Sequence, residues 1–140
     1  MYSKHVVEQI FSLISKSKML STIPVKMNGC IRVGGFEIMP IESGYYVIDT
    51  ARDKVIAETW TKAAALAYVR VHISQRHEHI PKIKELDQTV EKHEMDSRFY
   101  RHSLTHESNE QSHLSITTRL ELAEAIAAHA KAQIKDIILE

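Results

Sequence analysis

Residues 116–138 read ITTRLELAEAIAAHAKAQIKDII. The stretch has the composition of one long helix, rich in alanine, leucine and glutamate. Its large apolar residues stand at the two ends, and its middle is nearly all alanine, with His129 set among them. Ile116, Leu120, Ala123, Ala127, Ala130, Ile134 and Ile137 are spaced alternately by four and three. A mean period of about 3.5 residues marks a helix that packs lengthwise on another helix.

The same chain supplies a partner. In PKIKELDQTVEKHEMDSRFYRHSL, residues 81–104, the positions Ile83, Leu86, Val90, His93, Ser97, Tyr100 and Leu104 repeat that spacing in mirror order. Folding the two segments antiparallel about a turn near residue 110 sets Leu104 against Ile116, Tyr100 against Leu120 and Ser97 against Ala123. The series continues with His93 and Ala127, Val90 and Ala130, Leu86 and Ile134, and Ile83 and Ile137. Large residues then meet at both ends, while Ser97, His93 and Val90 meet alanines. The small side chains let the backbones approach and leave room for an imidazole. The polar stretch HESNEQSH, residues 106–113, is placed to form the turn. The expectation is a long antiparallel helical hairpin, coiled-coil-like, over residues 81–140.

That seam leaves one set of apolar residues unexplained. Met95 and Phe99 fall on the far side of their helix, with His102 and His106 continuing the stripe, and Leu122 and Ile126 fall outside the seam of the last helix. Apolar residues on the back of a two-helix hairpin need a cover. The sheet of the same chain or another chain could provide it. Met95, Phe99, Leu122 and Ile126 are therefore the expected self-association residues, with a second chain the favoured cover.

The N-terminal half is of another kind. Every glycine lies between residues 29 and 44, and beyond Gly44 the chain has no glycine and a single proline, Pro81. Val7, Ile10, Phe11 and Ile14 have the spacing of an amphipathic helix over about residues 3–19. Lys4, Lys16 and Lys18 would suit a membrane-surface anchor, but the helix is short and core packing is the ordinary use of such a stripe. Strand patterns follow at Ile31–Val33, Phe36–Met39, Tyr45–Asp49 and Val55–Thr59, separated by turn residues at Gly34-Gly35, Glu42-Ser43-Gly44 and Thr50 to Asp53. Thr61 can cap a helix, KAAALAYVRVHI, whose alanines let it lie close on a sheet. The helix is expected to break near His79, with a new one starting at Pro81, which lacks a backbone donor and fits a first turn. The fold class expected is α+β: an N-terminal helix, a small antiparallel β-meander with one packed helix, then the hairpin. The expected division is residues 1–80 and 81–140.

The chain of 140 residues carries 18 basic and 18 acidic residues, so its net charge is zero. Residues 1–35 hold five Lys/Arg and one acid, residues 36–80 five and six, and residues 81–140 eight and eleven. A neutral total argues against a protein that depends on phosphate contacts, and the mild polarity suits head-to-tail association. Cys30 is alone, which excludes an intramolecular disulfide and fits a reducing compartment. The first residues lack the long apolar run of a signal peptide, and no stretch approaches the roughly 18 apolar residues of a membrane span. The location expected is cytoplasmic or within a viral particle, not secreted, with no membrane partner.

Catalytic and ligand motifs are not found. His102 and His106 share a helix face, and His77 and His79 flank Glu78, but neither group has the three or four ligands at the spacing zinc requires. GCIRVGGF has glycines at phosphate-loop separation, yet Gly35-Phe36 stands where Lys-Ser/Thr is needed, and a hairpin turn explains the glycines. No Gly-x-Ser-x-Gly elbow is present. Glu91, Glu94 and Asp96 lie amid Lys and Arg, as on a solvated helix face. No enzyme, metal or cofactor is expected. The expected function is a scaffold or interaction protein that self-associates through its hairpin, of the kind found among virus or phage particle components and accessory factors. The alternative is a nucleic-acid-binding accessory protein using the sheet and its helix. Arg32, Arg52, Lys54, Lys62, Arg70 and Arg76 lie there with Tyr45, Tyr46 and Trp60, but Glu37, Glu42, Asp49, Asp53 and Glu58 offset their charge.

Overall fold

A computed structural model of the chain describes residues 25–27, 29–107 and 109–140. The helix expected over residues 3–19 lies outside the described residues. The architecture is α+β. Strands β1 (Val25–Met27), β2 (Cys30–Val33), β3 (Phe36–Ile41), β4 (Gly44–Asp49) and β5 (Lys54–Thr59) form one antiparallel sheet in sequence order. Three α-helices follow: α1 (Lys62–Ile73), α2 (Ile80–His106) and α3 (Glu110–Leu139). The strand β1 was not anticipated. It is three residues long, too short for an alternating pattern to declare it.

The turns are built by the residues whose backbone freedom they need. Gly34 and Gly35 both have positive φ, at 50° and 84°, and join Val33 to its partner Phe36 in a two-residue hairpin. Gly44 is fixed by crowding, since a Cβ there would sit 2.0 Å from the Thr59 carbonyl oxygen. At the β4–β5 turn the Asp49 carboxylate accepts from the backbone N–H groups of Ala51 and Arg52, at 3.0 and 3.2 Å.

The sheet, α1 and the α2–α3 hairpin form three layers, with α1 in the middle. Ile31, Ile38 and Val47 pack on one side of α1, and Ile83, Leu86, Val90, Ala130, Ile134 and Ile137 belong to the same buried cluster. Residue 80 marks a change of element type, and the hydrophobic core runs across it. A helix packed from two sides needs a wide apolar face. In α1 the residues Ala64, Ala65, Ala67, Tyr68, Val69 and Val71 are all buried. The alternate residues of the strands, Cys30, Met39, Ile41, Tyr46 and Ile48, form a second apolar cluster on the other face of the sheet.

Thr61 caps α1 as expected, its Oγ1 accepting from the N–H of Ala64 at 3.1 Å. A buried carboxylate on α2 secures that cap. Asp87 accepts from the backbone N–H groups of Trp60 (2.7 Å) and Thr61 (3.0 Å) and from the Thr61 hydroxyl (2.8 Å). A negative charge at a helix N-terminus is favourable, so Asp87 ties the hairpin to the sheet-to-helix junction electrostatically as well as geometrically.

Two helix boundaries differ from the reading of the sequence. The helix after the sheet ends at Ile73, the last residue of the stretch KAAALAYVRVHI, so the break expected near His79 comes earlier. Gln75 takes a left-handed φ of 59°, and the N–H groups of Gln75 and Arg76 donate back to the carbonyls of His72 and Val71. This is a Schellman closure with glutamine where glycine is commoner, so no glycine announced it. A short 3₁₀ turn (His77–His79) then leads into α2, with Pro81 in its first turn. The interhelical turn is also tighter than residues 106–113. α2 runs to His106 and α3 starts at Glu110, because the Asn109 side chain accepts from the N–H groups of Gln111 and Ser112.

Two predictions follow from these contacts. Asp87→Ala strips three donors of a buried charged acceptor and should destabilise the protein by on the order of 3 kcal/mol. Urea unfolding measures it, and a loss below about 1 kcal/mol would remove the clamp from this account. The second concerns alkali. Burial pushes the Cys30 thiol up to about 12 from the ordinary 9.0, and burial, aided by the Asp87 charge, pushes the Tyr68 phenol up to about 12 from 10.0. Both groups stay protonated longer in the folded chain. Their stabilisation is complete below the unfolded values and should be lost as pH rises from about 9 toward 12. Tyr68→Phe should flatten the alkaline fall in urea midpoint, and an unchanged slope would contradict the assignment.

Candidate functional site

The hairpin is the most extended feature of the molecule. α2 and α3 have 27 and 30 residues, so at about 1.5 Å per residue each spans about 40 Å. Their buried positions are Ile83, Leu86, Asp87, Val90 and Ser97 on α2, and Leu120, Ala123, Ala127, Ala130, Ile134 and Ile137 on α3. Apart from Asp87, all lie on the two seams read from the sequence. The other seam positions, His93, Tyr100, Leu104 and Ile116, are half-buried.

Ion pairs across the hairpin mark its register. Lys131 pairs with Glu94 at 3.3 Å, and Arg101 pairs with Glu124. Each of the four is the residue after a seam position: His93, Tyr100, Ala123 or Ala130. Such residues flank the seam on one side, and antiparallel helices bring them face to face. Both pairs have the numbering offset that follows when Ser97 faces Ala123. Asp87, after Leu86, is on the same flank and reaches α1. That flank is therefore occupied by α1 at the base and by ion pairs further out.

The residues expected for self-association lie elsewhere. Met95, Phe99 and Leu122 are 54%, 66% and 60% exposed, and Ile126 is half-buried. Leu114, near the turn, is 66% exposed and was not singled out in the sequence. By helical spacing Ile126 stands on the flank opposite the ion pairs, with Leu122 one turn away. Phe99 lies beside it on α2, and Met95 is further round the back. Phe99 meets Tyr100 edge-on, their ring centroids 5.8 Å apart, and does not dock on the sheet of its own chain. The buried cluster shared with α1 and the sheet includes no hairpin residue between Val90 and Ala130. The outer part of the hairpin is thus an arm held by its own seam, and it carries these exposed apolar residues.

The chemical candidates are dispersed. His102 and His106 meet edge-on, ring centroids 4.6 Å apart, on the exposed arm, and His72 and His77 approach to 3.2 Å at the end of α1. Burial lowers the His72 pKa, and the neighbouring His77 adds to that. No group of three or more potential metal ligands is gathered among the described residues. The cations of the sheet and its helix do not form one surface. Arg32 is buried, Arg76 pairs with Glu140 at 3.2 Å, and Arg52 pairs with Asp49. Among the described residues no helix is long and apolar enough to cross a membrane. No family model, curated protein or solved structure matches the chain.

The tightness of the alanine seam can be tested directly. Ala127 is 4% exposed, while Ala125 is solvent-facing. Ala127→Leu should overpack against α2 and cost on the order of 1–3 kcal/mol, and Ala125→Leu should cost much less. Equal melting temperatures for the two variants would show that the helices do not pack closely there. A cysteine pair at Ser97 and Ala123 tests the register, because facing Cβ atoms can close a disulfide. Preferential closure of Ser97 with Ala127 would shift the register.

Proposed function

We propose that the protein is a non-enzymatic interaction protein that self-associates through the outer half of its hairpin, as a particle component or accessory factor. The observation that carries this reading is the exposure of Met95, Phe99 and Leu122 on an arm that projects past the shared core. A two-helix arm has one seam and two backs, and large apolar side chains on a back gain by burial against another surface. The arm of a second copy is the partner in view. It offers the same long helices and the same exposed apolar residues, and pairing two arms about a two-fold axis would make a four-helix bundle of ordinary construction. The alternative, nucleic-acid binding by the sheet and its helix, has less support, since the six cations counted for it are scattered, buried or paired.

Sedimentation tests the proposal. The wild-type protein should exceed monomer mass at micromolar concentration, and Phe99→Asp should give a smaller species with unchanged circular dichroism. Phe99 is exposed, so the substitution leaves the monomer core intact. A monomeric wild type, or a folded variant of unchanged mass, would reject the arm as the association surface.

A further inference from the structure

Where the hairpin base meets the β5–α1 junction, the molecule has a cleft of about 570 Å³. The β3–β4 turn and Tyr45 form one wall, Trp60 to Ala63 another, and residues of both hairpin helices the third. Lys62, Arg98, Lys131 and Lys135 line it, against the carboxylates Glu42 and Glu94. These cations come from three helices, so only the tertiary fold brings them together.

Glu94 is already engaged. Its Oε1 accepts from Trp60 Nε1 at 3.3 Å and pairs with Lys131 Nζ at 3.3 Å. The Arg98 guanidinium lies over the Trp60 ring, 5.5 Å from its centroid. Lys62, Arg98 and Lys135 make no ion pair among the described residues. Three cations facing one concavity repel each other, and an anion placed between them relieves that repulsion. The cleft continues along the hairpin past Ser97, Ala127 and Ala128, where small side chains leave it open toward the Arg101–Glu124 pair.

We propose that this cleft binds a phosphate-bearing ligand of about mononucleotide size. Separated lysines act as point charges and suit a tetrahedral dianion approached from several directions, whereas a planar carboxylate is met by one arginine fork. The aromatic walls, Tyr45 and Trp60, give a planar group beside the phosphate an apolar surface. The volume falls within the range of small-molecule sites, about 300–1,000 Å³. The site uses the flank of the hairpin opposite Ile126 and is independent of arm association.

Trp60 is the only tryptophan in the chain, so selectively excited tryptophan emission reports on a wall of the cleft. The full-length protein is titrated with inorganic pyrophosphate and, separately, with adenosine monophosphate. Saturable change in emission is expected with both, weakening steeply with salt. Tighter binding of the nucleotide would place its ring on the aromatic wall, and equal or tighter binding of pyrophosphate would identify a free-phosphate site. Lys62 and Lys135 are exposed, so the Lys62→Ala/Lys135→Ala double variant should fold normally and bind roughly tenfold or more weakly. Phe99→Asp should bind as wild type. No saturable change with either probe, or equal affinity in wild type and the double variant, would overturn the proposal.

Discussion

The structure depends on a helix that is packed from two sides. α1 is twelve residues long, and its apolar residues serve two neighbours at once, the sheet on one side and the hairpin on the other. A helix can do this only if its side chains are small enough to admit close neighbours on both sides, and Ala64, Ala65 and Ala67 meet that condition at the first two turns. Tyr68, Val69 and Val71 fill the wider space beyond. Apolar contacts are non-directional, and the polar end of α1 adds direction. Thr61 caps the first turn, and Asp87 from α2 holds both Trp60 and Thr61. A buried carboxylate surrounded by three donors is costly to displace, so one residue orients three layers.

The buried face of each hairpin helix was legible in the spacing. The size series adds an expected pairing, with alanines opposite Ser97, His93 and Val90. The buried residues of α2 and α3 fall on those positions, and the cross-hairpin ion pairs keep the same offset. Turn chemistry was legible for a similar reason at Gly34-Gly35, where two glycines in succession leave few alternatives.

What escaped the sequence was a helix end without its commonest marker, and contacts between residues far apart in the chain. The Schellman closure at Gln75 replaces the glycine that would have marked the end of α1. Asn109 starts α3 within three residues of the end of α2, and as a favoured N-cap residue it was the signal to find there. Asp87 is the residue after a seam position and looks in sequence like one more solvated acid. Its burial becomes evident only when the β5–α1 junction is beside it. The basic cleft was hidden by distance along the chain, since Lys62, Arg98 and Lys135 belong to three different helices. The nucleic-acid reading weighed the cations of the sheet and its helix, and of those only Lys62 lines the cleft.

The two flanks of the hairpin explain why association and ligand binding are assigned to different surfaces. The flank after the second residue of each seam pair carries charge throughout: Asp87 against α1, then Glu94 with Lys131, then Arg101 with Glu124. Charged side chains held there keep that surface hydrated and discourage close packing by a second copy, since covering them would cost desolvation. The opposite flank carries Ile126 with Leu122 and Phe99 nearby, and no ion pair joins the two helices across it among the described residues. Covering Leu122 and Phe99 removes apolar area from water. The hairpin thus carries its cross-helix ion pairs on one flank and its exposed large apolar residues, Leu122 and Phe99, toward the other. The ion-paired flank faces its own domain and the cleft, and the exposed apolar residues point away from both.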